Sequence, residues 1–386
     1  MHIGLDISQT GSNKAGCGYV ADSMAKILPN IIDAKDRLTF YPFFGDFYFD
    51  HDPVIGEEYL KSNTNLVRLN SIGHDRKSFW SNNGLEHLLG NPDVIHSNNY
   101  WCPIGLKNSR LLYTLYDLSF LIEPDWTTEA NRVGCLEGVF RASIEADWIV
   151  AISESTREDY LKLFPNYPPE RISIINPASR FTGDEVGIIP ESLSNGEKFR
   201  YWLCAGTIEP RKNQFFLAEC FAEYLKSGGS ISTLIFAGGS GWLMDDFKER
   251  IESLGIKKNI IFTGYVSDEE LVWLYQNCHA NLYPSFYEGF GLPVLEGMQF
   301  GAPTVASSTS SLPEITSNAA ILLSPKDRLS WVKALHQLEN DLVFRAELAS
   351  LGKLRANTFN WGYSARQLLS LYKKVASLPK RYLNKL

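Results

Sequence analysis

The chain has 386 residues, of which 44% are hydrophobic and 21% are charged, a balance typical of a soluble globular enzyme. This length exceeds one ordinary hydrophobic core and favours two α/β domains of similar size. The formal charge of −7, from 37 basic and 44 acidic residues, argues against a nucleic-acid-binding surface as the main function.

Targeting and metal signals are missing from the sequence. Apolar runs stay shorter than a membrane-spanning helix, and the first residues lack the regions of a signal peptide. Six scattered cysteines without a Cys-x-x-Cys pair are typical of core residues in a reducing compartment. The missing membrane and signal segments predict a cytoplasmic protein. The histidines form no His-x-x-x-His pair, so we expect no structural or catalytic metal.

The N-terminal half begins with a strand predicted at residues 2–8, a loop over 10–18 and a helix over about 19–28. Gly16-Cys-Gly18-Tyr-Val-Ala21 matches the fingerprint G-x-G-x-x-A, which raises a dehydrogenase as one interpretation. That fingerprint should follow its strand at once, whereas here seven residues intervene, Gln9 to Ala15. A wide loop suits a diphosphate better, and a plain helix-entry loop is the alternative for Gly16 and Gly18.

Asp50-His51-Asp52 spells Asp-x-Asp, a string of hard oxygen ligands that can chelate a divalent metal. It falls in a predicted exposed loop over 41–53, without a convincing strand before it. We therefore interpret the string as a coincidence.

Four more strands are predicted in this half, at 92–96, 110–117, 146–152 and 171–175. Polar residues follow the first two, and ligands bind at that edge of open parallel sheets: His96 and the pair Tyr116-Asp117. Ser155 and Glu158 have the spacing of a capping box for a helix ending near Phe164. Residues 176–194, rich in Pro, Gly and Ser, are predicted to be the interdomain linker.

The C-terminal half alternates strand and helix patterns, which predicts a doubly wound parallel sheet. Its six strands are predicted near 201–205, 232–237, 259–263, 280–284, 303–306 and 320–323. Glycines follow the first three of these strands, at Gly206, Gly238 and Gly264. Arg211 and Lys212 stand side by side at a helix start, where they oppose the helix dipole and are mildly unfavourable without an anion.

The most informative stretch runs from Tyr283 to Met298 and contains Phe286-Tyr-Glu-Gly-Phe-Gly-Leu-Pro-Val-Leu-Glu296. It is predicted to hold the end of a buried strand, a Gly-rich loop and a helix that starts at Pro293 and stops before Gly301. Loop glycines let backbone N–H groups approach a ligand, and the helix start favours phosphate. A tight strand-to-helix turn is the alternative, which the whole string makes less plausible.

This Glu-x7-Glu string closely resembles the signature of retaining glycosyltransferases of the family-4 type. The resemblance implies a GT-B fold, with two Rossmann-like doubly wound domains facing a central cleft. It assigns the donor sugar to Glu288 and the amides of Gly289, Phe290, Gly291 and Leu292, and the ribose to Glu296. It further implies that Arg211 and Lys212 hold the donor diphosphate, that Gly16, Gly18, Gly206 and Gly238 line its binding site, and that the base lies near Gly264 and Tyr265.

One position departs from the family pattern. Most members have His-Asp where this chain has Tyr116-Asp117, in a context, Glu123-Pro-Asp-Trp included, that otherwise matches. The family's histidine contacts the donor sugar, so Tyr116 and Asp117 are candidate catalytic residues by position, although a phenol is neutral and bulkier. His96 is a candidate substitute for that histidine, and a core histidine is the alternative.

The sequence thus predicts an acceptor-side domain at 1–185, a nucleotide-sugar donor domain at 186–362 and a C-terminal helix at 363–386 that returns to the first domain. The expected reaction is transfer of a hexosyl unit, with mannose from GDP-mannose as the guess, to a saccharide or lipid-linked saccharide in bacterial surface polysaccharide synthesis. The alternative is a sugar-nucleotide-binding protein with little transfer activity. The helix ends in basic residues, for which a solvated surface is the first interpretation and contact with the cytoplasmic face of the inner membrane the second: Lys373, Lys374, Lys380, Arg381 and Lys385.

Overall fold

A computed structural model describes residues 1–11, 14, 16–42, 56–67, 85–193, 200–242 and 246–381. The described residues form two compact units. Unit 1 comprises those within Met1–Ile122, Glu129–Arg180 and from Asn360 onward, and unit 2 comprises Glu123–Thr128 and those within Phe181–Phe359.

Within its described residues, unit 1 holds a seven-stranded parallel sheet of order β3-β2-β1-β4-β5-β6-β7. Most of its strand residues are buried, as expected for a parallel sheet covered on both faces. The strands are β1 (His2–Asp6), β2 (Arg37–Tyr41), β3 (Thr64–Leu66), β4 (Val94–Ser97), β5 (Arg110–Leu115), β6 (Trp148–Ala151) and β7 (Ile172–Ile174). The helices are α1 (Gly16–Ile31), α2 (Leu85–Leu88), α3 (Ser119–Ile122), α4 (Glu129–Glu145) and α5 (Glu154–Leu163).

Unit 2, as far as it is described, holds a six-stranded parallel sheet of order β10-β9-β8-β11-β12-β13. The strands are β8 (Trp202–Ala205), β9 (Leu234–Ala237), β10 (Ile260–Gly264), β11 (Ala280–Tyr283), β12 (Thr304–Ser307) and β13 (Ile321–Leu323). The helices are α6 (Gln214–Lys226), α7 (Phe247–Ser253), α8 (Asp268–Asn277), α9 (Leu292–Gln299), α10 (Leu312–Thr316), α11 (Arg328–Asn340) and α12 (Leu342–Ala356). All six predicted strands are confirmed.

The last described helix, α13 (Trp361–Ser377), belongs to unit 1 and packs against α1. It was predicted to extend to the end of the sequence but ends at Ser377, so Lys380 and Arg381 follow the helix. Its Tyr372 hydroxyl lies 2.6 Å from Nδ1 of His96, whose Nε2 lies 2.7 Å from Oγ1 of Thr114. Burial lowers the pKa of His96 to about 3, so the imidazole is neutral at pH 7. His96 is therefore a fully bonded core residue that joins α13 to the sheet.

Two helix starts were predicted wrongly. Helix α1 starts at Gly16, so Gly16 and Gly18 lie in its first turn and not in a loop. A Cβ on Gly18 would lie 2.4 Å from the Gln9 carbonyl oxygen, so the close approach of this turn to the end of β1 requires glycine. Helix α5 is capped by Ser153, whose side chain accepts a hydrogen bond from the Thr156 amide, and not by Ser155.

Strands β2 and β3 and helices α2, α3 and α4 were not predicted. The interpretation that no strand precedes residues 41–53 was wrong, because β2 ends at Tyr41 and pairs in parallel with both β1 and β3. Helix α4 was not predicted, since Asn131, Gly134 and Gly138 interrupt its helix-forming sequence. Tertiary packing overrides this weak local propensity: a Cβ on Gly138 would lie 1.4 Å from the Tyr100 carbonyl oxygen.

Candidate donor site

The strand order of unit 2 reverses between β8 and β11, and the predicted binding residues follow these two strands. Arg211 and Lys212 lie in a 3-10 turn, Pro210–Lys212, shortly after β8. Glu288 lies in the loop between β11 and α9. Ligands of open parallel sheets bind at such a reversal point, outside the carboxyl ends of the strands. The topology therefore brings together residues that the sequence separates.

A buried cluster of charges forms at this reversal point. Lys212 Nζ lies 2.7 Å from Oε1 of Glu288, and Arg211 Nη1 lies 3.0 Å from Oε2 of the same carboxylate. The other guanidinium nitrogen, Nη2, lies 2.6 Å from Oε1 of Glu209. Two cations and two carboxylates thus neutralise one another. We call these four residues, Glu209, Arg211, Lys212 and Glu288, the ion cluster.

The ion cluster keeps Glu288 charged although only 5% of the residue is exposed. Burial raises the pKa of Glu288, but the positive charges of Arg211 and Lys212 outweigh that effect and hold it at about 2. Glu288 is therefore an anion at every physiological pH. A buried ion of this kind must keep a partner, because leaving it unpaired is strongly unfavourable.

Hydrogen bonds to its backbone fix the loop that carries Glu288. The Phe286 amide donates to the Arg211 carbonyl oxygen at 2.9 Å, and Arg211 Nη1 donates to the Tyr287 carbonyl oxygen at 2.7 Å. The Glu288 amide donates to Oγ of Ser310 at 2.8 Å, and Ser311 Oγ donates to the Glu288 carbonyl oxygen at 2.9 Å. Ser310 has a φ of 50°, a strained conformation for a residue with a side chain.

The loop after Glu288 passes directly into α9. Gly291 is the N-cap with a φ of 109°, a conformation that favours glycine, and Pro293 lies in the first turn as predicted. Gly289 and Phe290 precede this N-cap and Leu292 is the first residue of α9, so their amides lie at or beside the helix start. An anion is favoured there by the helix dipole and by amides without intrahelical partners.

Glu296 lies in the second turn of α9 and is also buried, with 3% of the residue exposed. Tyr275 on α8 donates a hydrogen bond to Oε2 of Glu296 at 3.4 Å. Glu288 instead pairs with the turn after β8. The two carboxylates therefore have different partners, and their assignment to different parts of one ligand stays a prediction.

Three predicted glycines meet at the carboxyl ends of β8, β9 and β10. The Gly206 amide donates to the Ala237 carbonyl oxygen at 2.8 Å, and the Gly238 amide donates to that of Gly264 at 2.9 Å. A Cβ on Gly238 would lie 2.2 Å from the Gly206 carbonyl oxygen, so only glycine fits. Tyr265, predicted to lie near the nucleotide base, follows Gly264 and is 66% exposed.

The candidate catalytic pair of unit 1 follows β5. Tyr116 is 3% exposed, and its hydroxyl donates to Oδ1 of Asn98 at 2.9 Å. Burial raises the pKa of Tyr116 well above its usual value, so the phenol is neutral. Asp117 Oδ1 accepts hydrogen bonds from the amide and hydroxyl of Ser119, at the start of α3. Both side chains thus have partners within unit 1, and their role in transfer stays a prediction.

Sequence reasoning missed several residues around Glu288. Glu209 precedes Arg211 by two positions, and the Tyr283 hydroxyl accepts a hydrogen bond from Lys212. Ser310 and Ser311 come from a Ser/Thr-rich run after β12, a polar segment at a strand end that was itself a usable signal. Trp126 stacks on Phe286 from a distant part of the sequence, for which no local signal exists.

Across the described ranges, His, Cys, Asp and Glu side chains do not form a group of three or more that could hold a metal ion. Asp50 and Asp52 lie outside the described residues, as does Lys385. No helix in the described part of the chain is both long and apolar enough to cross a membrane.

The two Rossmann-like units define a protein with the GT-B fold, which confirms the predicted fold class. The structure of sucrose-phosphate synthase from Thermosynechococcus elongatus superposes with a TM-score of 0.73, at 19% identity, covering 97% of this chain and 99% of that one. This likeness concerns the fold alone.

Sequence comparison assigns the family. Residues 187–355 match the model for glycosyl transferases group 1. The chain is 30% identical to O-antigen chain mannosyltransferase B of Escherichia coli over 323 residues, which is 82% of each chain. It is 25% identical to an O-antigen chain mannosyltransferase of Salmonella typhimurium, over 87% of this chain and 90% of that one. The chain belongs to the group 1 glycosyl transferases.

The family assignment decides between the glycosyltransferase, dehydrogenase and binding-protein interpretations of the sequence. The protein is a glycosyltransferase similar to O-antigen mannosyltransferases, and donors in this family are nucleotide sugars. The dehydrogenase interpretation of Gly16 and Gly18 and the binding-only alternative are not supported.

Proposed function

We propose that this enzyme transfers a mannosyl unit from GDP-mannose to a hydroxyl of a saccharide acceptor, with retention, during synthesis of an O-antigen-type polysaccharide. The mannosyl unit and the polysaccharide are supported by the two relatives, both named O-antigen chain mannosyltransferases. The observation that carries the proposal is the ion cluster at the reversal point of the unit 2 sheet. Retention rests on the family resemblance of the Glu288 loop.

We assign the donor diphosphate to Arg211 and Lys212. Phosphate oxygens form strong charge-assisted hydrogen bonds with such cations. In this proposal they replace the oxygens of Glu288 when the donor binds. The cations then offset the negative charge that grows on the leaving nucleotide as the glycosidic bond breaks. Two fixed cations supply charge that a metal ion supplies elsewhere, so we propose transfer without a divalent metal.

The carboxylate that the diphosphate releases needs new partners, because an unpaired buried ion costs several kcal/mol. The hydroxyl groups of the donor sugar can supply them. We therefore assign the sugar to Glu288 with the amides of Gly289 to Leu292, and the ribose to Glu296. The strand-end glycines Gly206, Gly238 and Gly264 and the exposed Tyr265 are assigned to the nucleotide.

We assign the donor to unit 2 and the acceptor to unit 1, where Tyr116 and Asp117 follow β5. The domain division at residues 185 and 362 stays part of this proposal. A lipid-linked acceptor would place the enzyme in the cytoplasm at the inner membrane.

The described basic residues in the last turns of α13 and in the segment after it have partners within unit 1, so the proposed membrane contact rests on their charge alone. Lys373 pairs with Asp33 at 2.9 Å, and Lys374 lies 4.1 Å from the ring centre of Trp148. Lys380 and Arg381 donate to carbonyl oxygens of Leu106 and Ser143. Co-sedimentation with vesicles containing anionic lipid tests this part of the proposal, and no binding at low salt would remove it.

The transfer reaction is tested with the purified enzyme and GDP-mannose, with UDP-glucose as the control donor. We expect mannosyl transfer to a mannose-containing oligosaccharide, and proton NMR of the product should show the anomeric configuration of the donor. Activity should persist in excess chelator. Transfer from UDP-glucose alone would correct the donor, an inverted product would contradict retention, and rescue by Mg²⁺ or Mn²⁺ after chelation would contradict metal independence.

A further inference from the structure

A six-residue segment, Glu123–Thr128, belongs to unit 2 although it lies between two helices of unit 1 in the sequence. Helix α3 ends at Ile122 and α4 starts at Glu129. Between them, Pro124–Trp126 form a 3-10 turn that contacts the turn carrying Arg211 and Lys212. We call Glu123–Thr128 the strap.

Trp126 anchors the strap to the Glu288 loop. Its indole stacks on Phe286 with ring centres 5.9 Å apart and an angle of 3° between the planes. The Tyr287 ring lies 6.4 Å from the same indole at 34°. The Trp126 carbonyl oxygen accepts a hydrogen bond from Nε1 of Trp242 at 2.7 Å. Both the side chain and the backbone of Trp126 therefore have partners in other parts of unit 2.

Trp126 contacts Phe286 and Tyr287, which are the two residues immediately before Glu288. Phe286 and Tyr287 also exchange hydrogen bonds with Arg211, through the Phe286 amide and the Tyr287 carbonyl oxygen. The indole thus rests on the turn that sets the distance between Glu288 and its cations. A rigid aromatic contact restricts this turn at low entropy cost, because indole has few rotamers to lose.

We propose that Trp126 is a positioning residue for transfer, which holds the turn Phe286–Glu288 so that Glu288 meets the donor sugar in the reactive geometry. This inference rests on the proposed role of Glu288 toward the sugar. The ion pairs of Glu288 must exchange when the donor binds, so the turn needs a support that does not exchange. Stacking on Phe286 supplies it, because that contact involves no group assigned to the donor.

The test compares Trp126→Ala with Trp126→Phe, with Asp125→Ala as the matched control at the exposed neighbouring position of the strap. Turnover, donor KM, affinity for GDP by calorimetry and Tm are measured for each. We expect Trp126→Ala to lower turnover roughly tenfold to a hundredfold, since small misplacements of a reacting group cost that much. GDP affinity should change less than twofold, Trp126→Phe should restore most of the turnover, and Asp125→Ala should match the wild type.

A double-mutant cycle separates positioning from general packing. If Trp126 acts through Glu288, Trp126→Ala should add little to the loss already caused by Glu288→Gln. Full additivity of the two losses, unchanged turnover in Trp126→Ala, or a parallel fall of GDP affinity and Tm would each overturn the inference. A wild-type enzyme that transfers from no nucleotide sugar would instead contradict the proposed function.

Discussion

Each unit contains a buried carboxylate held by basic residues, and the two carboxylates have different kinds of partner. Asp147 in unit 1 accepts hydrogen bonds from the backbone amides of Leu111 and Arg381, at 2.9 and 2.8 Å, and Lys380 Nζ lies 3.9 Å away. Glu288 in unit 2 is held through its carboxylate by the side chains of Arg211 and Lys212.

The difference indicates what each carboxylate does. Backbone amides cannot leave Asp147 without local unfolding, so this carboxylate ties the end of the chain to the unit 1 sheet. Side-chain cations can change partner while the backbone stays in place, so the Glu288 pairs are suited to exchange for another anion. Burial alone therefore does not distinguish these two carboxylates, whereas the nature of their partners does.

The largest expected effect is on nucleotide binding. Lys212→Met should weaken GDP binding by roughly 2–5 kcal/mol, because it removes a proposed phosphate partner and leaves Glu288 with one cation. The matched control is Lys380→Met, which removes a buried lysine from unit 1. Calorimetry should show unchanged GDP affinity for this control, with the loss confined to its Tm. Equal loss of GDP affinity in the two variants would contradict the distinction between exchangeable partners at Glu288 and fixed partners at Asp147.

The second effect concerns stability at low pH. The folded pKa of Glu288, about 2, lies below its unfolded value, so the stabilisation is complete above that unfolded value and is lost as pH falls toward 2. The contribution is about 2–4 kcal/mol. Between pH 6 and pH 3, the free energy of unfolding measured with urea should therefore fall more in the wild type than in Glu288→Gln. Identical pH dependence would show that Glu288 is not held by its cations.

The smallest effect is expected at Tyr116. Tyr116→Phe removes the donor to buried Asn98 and should cost about 1 kcal/mol of stability. Its catalytic role, inferred from position alone, predicts slower turnover with unchanged GDP affinity. Steady-state kinetics beside a thermal melt decides between the two, because loss of Tm at unchanged turnover would reduce Tyr116 to a structural residue of unit 1.

The strands of unit 2 and the Glu288 loop were predictable because their signals are local. Buried parallel strands are apolar runs, and the loop has glycine at Gly291 and proline at Pro293 where the helix start requires them. Strand β2 was missed because Arg37 and Thr39 interrupt its apolar pattern. The direct pairing of Arg211 and Lys212 with Glu288 and the stacking of Trp126 on Phe286 were beyond local reasoning, because these contacts form only through the tertiary fold.

The most direct test of the account is titration of GDP into the wild type, Glu288→Gln and Glu296→Gln by calorimetry. If Glu288 competes with the diphosphate for Arg211 and Lys212, as proposed, Glu288→Gln should bind GDP at least as tightly as the wild type while its turnover falls. On the proposed assignment of Glu296 to the ribose, Glu296→Gln loses a charged hydrogen bond and should bind GDP more weakly by roughly 1.5–3 kcal/mol. Weaker binding by Glu288→Gln together with unchanged binding by Glu296→Gln would contradict the roles assigned to both carboxylates.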